Sequence, residues 1–252
     1  MISIIKIQIL FTIFLVPFHS LHAQKSDLQR MKLNDQVKSI HETFYKVDKN
    51  NDQTNKSKPI YTYINEFDKN GNKTVDKRLD SEGELVKKYV YTYKNGNRIS
   101  LKQYNEADSL IRKVIYTYDD QGNLIEDNSY AADGSHNKKY TYSYDKRGNL
   151  KKDKSFDSED NLLKTYTYKR DDLGNKTETK VMNPDGSLEK RITYKYNEQG
   201  YLARQKVFNR FGNIARKFSY TYQYDQEDNW ILKKAKKNEH PSFIIKREIS
   251  YY

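Results

Sequence analysis

The strongest constraint on the fold is a pair of turn signals that return at a fixed interval along most of the chain. One column of turn residues recurs every 25 to 28 positions, and a second column follows it by 12 positions. Two turns in each interval of about 26 residues predict two strands per interval, as in repeat architectures. The first column contains Gly71, Gly96, Gly122, Gly148, Gly174, Gly200 and Asp228, and the second contains Gly83, Asp108, Gly134, Asp160, Gly186 and Gly212.

The segments between the turns alternate in side-chain character with the two-residue period of a β-strand. In the stretch from Leu85 to Tyr93, alternate positions carry Leu, Lys and three Tyr, while the positions between them carry Val, Lys and Thr. The same phase recurs near residues 110–118, 162–168, 188–196 and 214–224. The pattern predicts an all-β fold, an antiparallel meander of about 16 strands forming a curled or open twisted sheet. We expect tyrosines of neighbouring strands to pair on one face.

Tyrosine supplies most of the material for a core. Only 35% of the residues are hydrophobic, yet 23 are tyrosines, whose rings can be buried while the hydroxyl stays hydrated or bonded. The chain has no cysteine, which excludes disulfides and thiolate metal sites. No motif predicts a metal or a cofactor, and the three histidines beyond residue 24 stand in unrelated contexts, so the sequence favours a protein that is not an enzyme.

The N-terminus has the features of a secretory signal peptide. Lys6 precedes an apolar run of about 12 residues, and Ala23 provides a small residue for cleavage. We therefore expect residues 1–23 to be removed, no membrane span to be left, and the protein to be secreted or periplasmic with a net charge of +11 in place of +12. Residues 24–58 then form an N-terminal segment with a short helix at Lys25–Leu33, a first strand at Gln36–Val47 and a polar loop, and residues 59–252 form the β-repeat domain.

Aspartate opens most turns of the first column, as in Asp68, Asp119, Asp145 and Asp171. Such a side chain accepts backbone N–H bonds within the turn, and glycine at the fourth position provides a positive φ. The alternative is a calcium-binding or catalytic row of carboxylates. Turn formation alone accounts for the pattern, because no second acidic column faces it.

Basic residues form the candidate binding site. If each hairpin pairs symmetrically about its second turn, like charges face one another, an arrangement that destabilises a sheet unless something compensates. Long stems lying over tyrosine rings could explain the pairs, as could a bulge that moves these residues to the solvent face. The sharper hypothesis is a basic track for an anionic glycan, lipopolysaccharide or, less favoured, nucleic acid. The pairs are Lys77 with Lys87, Lys102 with Arg112, Lys154 with Lys164, Lys180 with Lys190 and Lys206 with Arg216, while Lys138 faces Asn128.

Several segments resemble the tyrosine-aspartate (YD) repeats of RHS-family proteins, among them YTYDDQGNL at Tyr116–Leu124 and YSYDKRGNL at Tyr142–Leu150. The turns DGSL at Asp185–Leu188 and EGEL at Glu82–Leu85 look like those of the related MORN-type and antitoxin-like hairpin repeats. The resemblance covers roughly residues 59–252. It implies a small secreted member of the family, of a kind often labelled as a repeat or sugar-binding protein, or an immunity-type partner of a toxin.

The sequence thus predicts a non-catalytic binding or scaffolding protein of the cell envelope, with an anionic glycan or an envelope protein as partner. An outer-membrane β-barrel is a further alternative. Lysine or arginine on the ring-bearing face in every repeat argues against lipid contact, because a cation at the middle of a bilayer costs ~2–4 kcal/mol.

Overall fold

One short helix and sixteen strands make up residues 25–47 and 58–252, which are the residues that the computed structural model describes. The expected signal peptide at residues 1–23 and most of the polar loop that follows the first strand lie outside the described residues. The helix α1 is Asp27–Met31, and the strands are β1 Val37–Lys46, β2 Pro59–Phe67, β3 Lys73–Leu79, β4 Leu85–Lys94, β5 Asn97–Tyr104, β6 Leu110–Tyr118, β7 Leu124–Ala131, β8 His136–Tyr144, β9 Leu150–Phe156, β10 Leu162–Arg170, β11 Lys176–Met182, β12 Leu188–Tyr196, β13 Leu202–Asn209, β14 Ile214–Tyr224, β15 Trp230–Lys237 and β16 His240–Tyr251.

The strands form a closed barrel. Each strand pairs antiparallel with its neighbours in sequence, and β1 also pairs with β16. The antiparallel meander of sixteen strands is therefore confirmed, but the sheet is neither open nor merely curled. Closure pairs the backbone N–H and C=O groups of the two edge strands, which an open sheet would leave unpaired. At the seam, Ile40 lies opposite Ile249 and Phe44 opposite Ile245, so apolar side chains line the junction.

The tyrosine-rich face is the inside of the barrel. The exposed mid-strand positions, such as Thr92, Thr117 and Ser143, lie on the other face. The expected pairing of tyrosines on neighbouring strands is wrong, because the tyrosine strands alternate with strands that carry smaller polar residues. Tyr142 lies opposite Asp153 and donates a hydrogen bond to Asp127 on the other side. The same donation, 15 residues back along the chain, recurs from Tyr91 to Asp76 and from Tyr168 to Asp153.

Aspartate in the first turn column acts in turn formation, as expected. The Oδ1 atom of Asp119 accepts hydrogen bonds from the backbone N–H groups of Gln121 and Asn123 at 3.0 and 2.7 Å. Asp145 makes the same two bonds to residues 147 and 149. These carboxylates are therefore engaged by their own turns.

Glycine is favoured in this column by its backbone conformation, with φ +77° at Gly71 and +79° at Gly122. An alanine at position 122 would meet no neighbouring atom within 4 Å, whereas at position 71 its Cβ would lie 2.8 Å from Ser26 Oγ. We expect Gly122→Ala to lower the free energy of unfolding by about 1–2 kcal/mol through backbone strain alone. Gly71→Ala should cost more, since it also displaces the N-terminal segment. Urea unfolding gives the free energy of unfolding of both variants. An equal loss of stability would contradict the close contact between position 71 and Ser26.

The assumed register of the hairpins is wrong by one residue. A β-bulge one residue beyond each second-column turn adds a residue to the following strand. Lys77 therefore lies opposite Lys88, and Arg78 lies opposite Lys87. The predicted basic pairs are separated onto opposite faces of the barrel wall: Lys77, Lys102, Lys154, Lys180 and Lys206 point outward, and Lys87, Arg112, Lys138, Lys164, Lys190 and Arg216 share the inner face with the tyrosines.

Residues 25–36, here called the cap segment, cross one end of the barrel. The backbone N–H of Leu28 donates to Gly71 O in the β2–β3 turn at 3.0 Å. Lys32 Nζ donates to Gly200 O in the β12–β13 turn at 2.7 Å, and Asn34 N to Asn229 Oδ1 after the β14–β15 turn at 2.8 Å. The expected helix is confirmed as α1, which is shorter than predicted, and the expected first strand is confirmed as β1. The segment bridges turns on widely separated strands, so it covers the end that carries the first turn column.

Candidate functional site: a cationic arc at the uncapped end of the barrel

The inward-pointing cations lie at one level, near the end opposite the cap segment. Each is the third residue of its strand and the first to pair after the bulge, on every second strand from β4 to β14. Because alternate strands are about 10 Å apart, the cations form a spaced row along the inner wall. We call this row the cationic arc, and its members are Lys87, Arg112, Lys138, Lys164, Lys190 and Arg216.

Arg78 on β3 joins the arc, because it lies directly opposite Lys87. Two like charges face each other here, which destabilises the sheet unless a counter-charge is present. The Nε atoms of Arg78 and Arg112 are buried and make no hydrogen bond within the described residues. Buried donors of this kind are normally satisfied. Two guanidinium groups on the inner wall therefore have donor capacity left for an anion.

Tyr89 is on β4, which lies between β3 with Arg78 and β6 with Arg112. Burial raises the pKa of Tyr89, while the positive charges of Arg112 and Arg78 act in the opposite direction. The guanidinium of Arg78 also lies over the ring of Tyr61, 4.9 Å from its centroid. Rings and guanidinium groups thus alternate along the wall, an arrangement that can take both a charged group and an apolar face of a ligand.

The positive charge of the arc is partly neutralised on β10 and β12 by an acidic residue of the protein. Glu189 forms ion pairs with Lys164 and Lys190, and Lys164 Nζ donates to Asn183 Oδ1 at 2.7 Å. The lysine pairs lower the pKa of Glu189. Most of the arc keeps an uncompensated positive charge, because no ion pair within the described residues is formed by Arg78, Lys87, Arg112, Lys138 or Arg216.

Two carboxylates lie deeper in the barrel, beyond the arc. Asp127 and Asp153 are each 7% exposed, and burial raises the pKa of both to about 6 even though a tyrosine donates to each. Lys176 lies over the rings of Tyr168 and Tyr194, 5.1 Å from each centroid. Burial lowers the pKa of Lys176 to about 8. These groups could therefore exchange protons near neutral pH.

Within residues 25–47 and 58–252, no three His, Cys, Asp or Glu side chains are grouped so that they could hold a metal ion. No helix among these residues is both long enough and apolar enough to cross a membrane.

Comparison with known proteins gives a family and a fold. A family model described as "Uncharacterised protein" matches residues 19–186. The chain belongs to this family. No curated protein matches the chain.

Solved structures similar to this family member include a porin-like protein from Bacteroides uniformis. That structure has a TM-score of 0.57 and 12% sequence identity, and the match covers 86% of this chain and 99% of the other. A porin-like protein from Bacteroides vulgatus matches with a TM-score of 0.36 and 11% identity, covering 83% of this chain and 97% of the other. A DUF1329 family protein from Desulfovibrio piger matches with a TM-score of 0.31 and 12% identity, covering 88% of this chain and 89% of the other. Only the first is similar enough to support the fold, which is that of the barrel described above.

The resemblance to RHS and YD-repeat proteins, and to MORN-type or antitoxin-like hairpins, is therefore wrong as a family assignment. The family model carries a different description, and the supported structural likeness is to a porin-like barrel. The hypothesis of an immunity-type partner of a toxin depended on that resemblance alone. Of the alternatives drawn from the sequence, the barrel agrees best with the structure.

Proposed function

We propose that the protein is a non-catalytic barrel of the bacterial cell envelope that binds small anionic ligands at the cationic arc, inside its uncapped end. The observation that carries this proposal is the pair of buried guanidinium Nε donors of Arg78 and Arg112, which make no hydrogen bond within the described residues. Hydrogen bonds from charged donors to a phosphate or carboxylate are among the strongest available in proteins.

The arrangement of the barrel supports a binding site within the lumen rather than a catalytic one. Rings of lysine and arginine side chains select anions in pores and barrels. Here the arc precedes a wall of tyrosines, and the cap segment lies across the other end. A ligand that enters past the arc therefore meets aromatic and polar side chains, but reaches a covered end.

Lipid contact along the whole outer wall is not part of the proposal. The cations that first argued against a membrane barrel point inward, so that reason does not hold. Other cations point outward at mid-strand, among them Lys102 and Lys113, which lie directly opposite each other. A cation facing lipid near the bilayer midplane costs ~2–4 kcal/mol, so the outer wall suits an aqueous compartment such as the periplasm.

A matched pair of double variants tests the binding site. Arg112→Gln with Lys138→Gln removes two inward cations, whereas Lys113→Gln with Lys139→Gln removes two outward cations from the same strands. We expect the inward variant to bind myo-inositol hexakisphosphate about 10–100-fold more weakly in calorimetric titration, because each charged hydrogen bond contributes ~1.5 kcal/mol or less after salt screening. The outward variant should change affinity little.

Equal losses in both double variants would mean that the probe binds the general positive charge of the protein, and the proposed site would be rejected. Uncharged myo-inositol serves as the ligand control. Far-UV circular dichroism of each variant checks that the barrel is still formed.

A further inference from the structure

The outer wall of the barrel carries its own concentration of positive charge on one side. Strands β13, β14 and β15 contain eight lysines and arginines and no aspartate or glutamate. On the opposite side, β7 has no cation, and its outward-pointing acidic residue is Glu126. The cations that point outward from the three strands define the outer basic face: Arg204, Lys206, Lys217, Lys234 and Lys236.

The outer basic face is continuous and lacks internal counter-charges. Lys206 lies directly opposite Lys217, and Arg204, Ser219 and Lys236 follow one another across three strands. None of its five cations forms an ion pair within the described residues, although lysines elsewhere on the outer wall do, such as Lys88 with Asp108 and Lys139 with Asp160. No ion pair within the described residues therefore offsets the repulsion between them.

An apolar tip adjoins this face. The β13–β14 turn holds Phe211, which is 72% exposed, and Ile214, the first residue of β14, is 45% exposed. In the other second-column turns, the position of Phe211 is occupied by Glu82, Ala107, Asp133, Glu159 and Asp185. The turn is thus the one among these six that carries an aromatic residue in place of an acidic or small one. Arg210 precedes it, with its guanidinium over the Phe211 ring at 4.6 Å from the centroid.

We propose that the outer basic face and the β13–β14 tip dock the barrel onto an anionic lipid bilayer. Phosphate headgroups would meet the five cations, and the side chains of Phe211 and Ile214 would enter the interfacial region beside them. Charge alone would suit an anionic polysaccharide equally well. The exposed ring and aliphatic side chain at the edge of the basic face favour lipid, because the acyl chains at the interface would remove the apolar surface of both from water.

Docking in this way would bring the uncapped end of the barrel close to the membrane, since the β13–β14 turn belongs to the end that carries the cationic arc. The inference does not depend on ligand binding inside the barrel, because its residues point to the other side of the wall.

Co-sedimentation with vesicles tests the proposal, comparing phosphatidylcholine alone with phosphatidylcholine containing phosphatidylglycerol. We expect binding only to the anionic vesicles, decreasing with added salt. Lys206→Glu with Lys217→Glu should weaken binding at least about 30-fold, because each cation near an anionic surface contributes roughly a fivefold factor. The matched control is Lys102→Glu with Lys113→Glu, a facing pair on the other side of the barrel with the same change in charge. Equal losses in the two variants would overturn the proposal.

Phe211→Ser tests the apolar tip separately and leaves the charge unchanged. We expect roughly tenfold weaker binding to anionic vesicles. Leu173→Ser is the control, since Leu173 is 88% exposed at the capped end. Unchanged binding of Phe211→Ser, together with loss of heparin binding in the Lys206→Glu, Lys217→Glu variant, would assign the face to a polysaccharide instead. Circular dichroism shows whether any charge-reversal variant has failed to fold. If one has, the comparison of Phe211→Ser with Leu173→Ser tests the docking proposal.

Discussion

Asp27→Asn is expected to lower the free energy of unfolding by about 3–5 kcal/mol, the cost typical of breaking a buried ion pair from one side. Asp27 is 6% exposed and accepts hydrogen bonds from Arg98 Nη2 at 2.8 Å and from the Lys73 backbone N–H at 2.9 Å. Tyr93 donates to the same carboxylate. Burial alone would raise the pKa of Asp27, but these partners, with Arg98 foremost, hold it below its usual value.

The large effect follows from what the substitution leaves behind. The Arg98 side chain is only 12% exposed, so without the carboxylate its charge stays buried and unpaired. The same carboxylate holds the cap segment against β3, β4 and β5, so its loss should also loosen that segment. Trp230 is the only tryptophan in the sequence, and it directly follows Asn229, whose side chain accepts a hydrogen bond from the cap segment. Its fluorescence therefore reports on this end of the barrel.

Urea unfolding followed by circular dichroism and by Trp230 fluorescence measures the change. Asp35→Asn is the matched control, because Asp35 lies in the same segment but is exposed, and its side chain bonds only to the neighbouring backbone within the described residues. A midpoint for Asp27→Asn that equals the midpoint for Asp35→Asn would mean that the Asp27 carboxylate does not hold the cap segment in place.

The local rules of β-structure were sufficient to predict the strands and the turns. Alternation from Leu85 to Tyr93 and the glycine turns depend on neighbours in sequence, and they predicted a meander of about sixteen strands. Closure depends on pairing between the first and last strands, whose partners, such as Ile40 and Ile249, are far apart in the sequence, and no local pattern predicts such a contact. In retrospect, the apolar residues of β1 and β16, such as Ile40, Phe44 and Ile245, were the available signal, since such side chains need a partner.

The register of the hairpins failed for a specific physical reason. The turn itself was predicted correctly, but a bulge one residue beyond it changes which residues face each other. A shift of one residue places a side chain on the opposite face of the barrel wall. Lys77 therefore points outward and is not part of the inner row of cations, whereas Arg78 points inward and belongs to it. Arg78 was missed because symmetric pairing placed it on the other face. The basic residues themselves were recognised, but their division into an inner arc and an outer face required coordinates.

The pH dependence of stability is the second large effect, and it concerns Asp127. The pKa of Asp127 is raised by burial from 3.8 to about 6. Between these two values the folded protein binds a proton that the unfolded chain does not, so the contribution of Asp127 to stability is complete below pH 4 and is lost as the pH rises through 6. A shift of this size corresponds to up to about 3 kcal/mol at 1.36 kcal/mol per pH unit.

Asp127→Asn replaces the carboxylate with a neutral group of similar shape, so the variant should be more stable than the parent by up to about 3 kcal/mol at pH 7.5 and nearly equal to it at pH 4. Asp133→Asn provides a control of opposite sign. Asp133 lies in an exposed turn, where hydrogen bonds from Ser135 lower its pKa, so that variant should be the less stable one at neutral pH. Urea unfolding of the three proteins between pH 4 and 8 gives both differences. A constant difference for Asp127→Asn across this range would mean that the inner wall solvates the Asp127 carboxylate as well as water does, and the lumen would then be far more polar than its tyrosine lining implies.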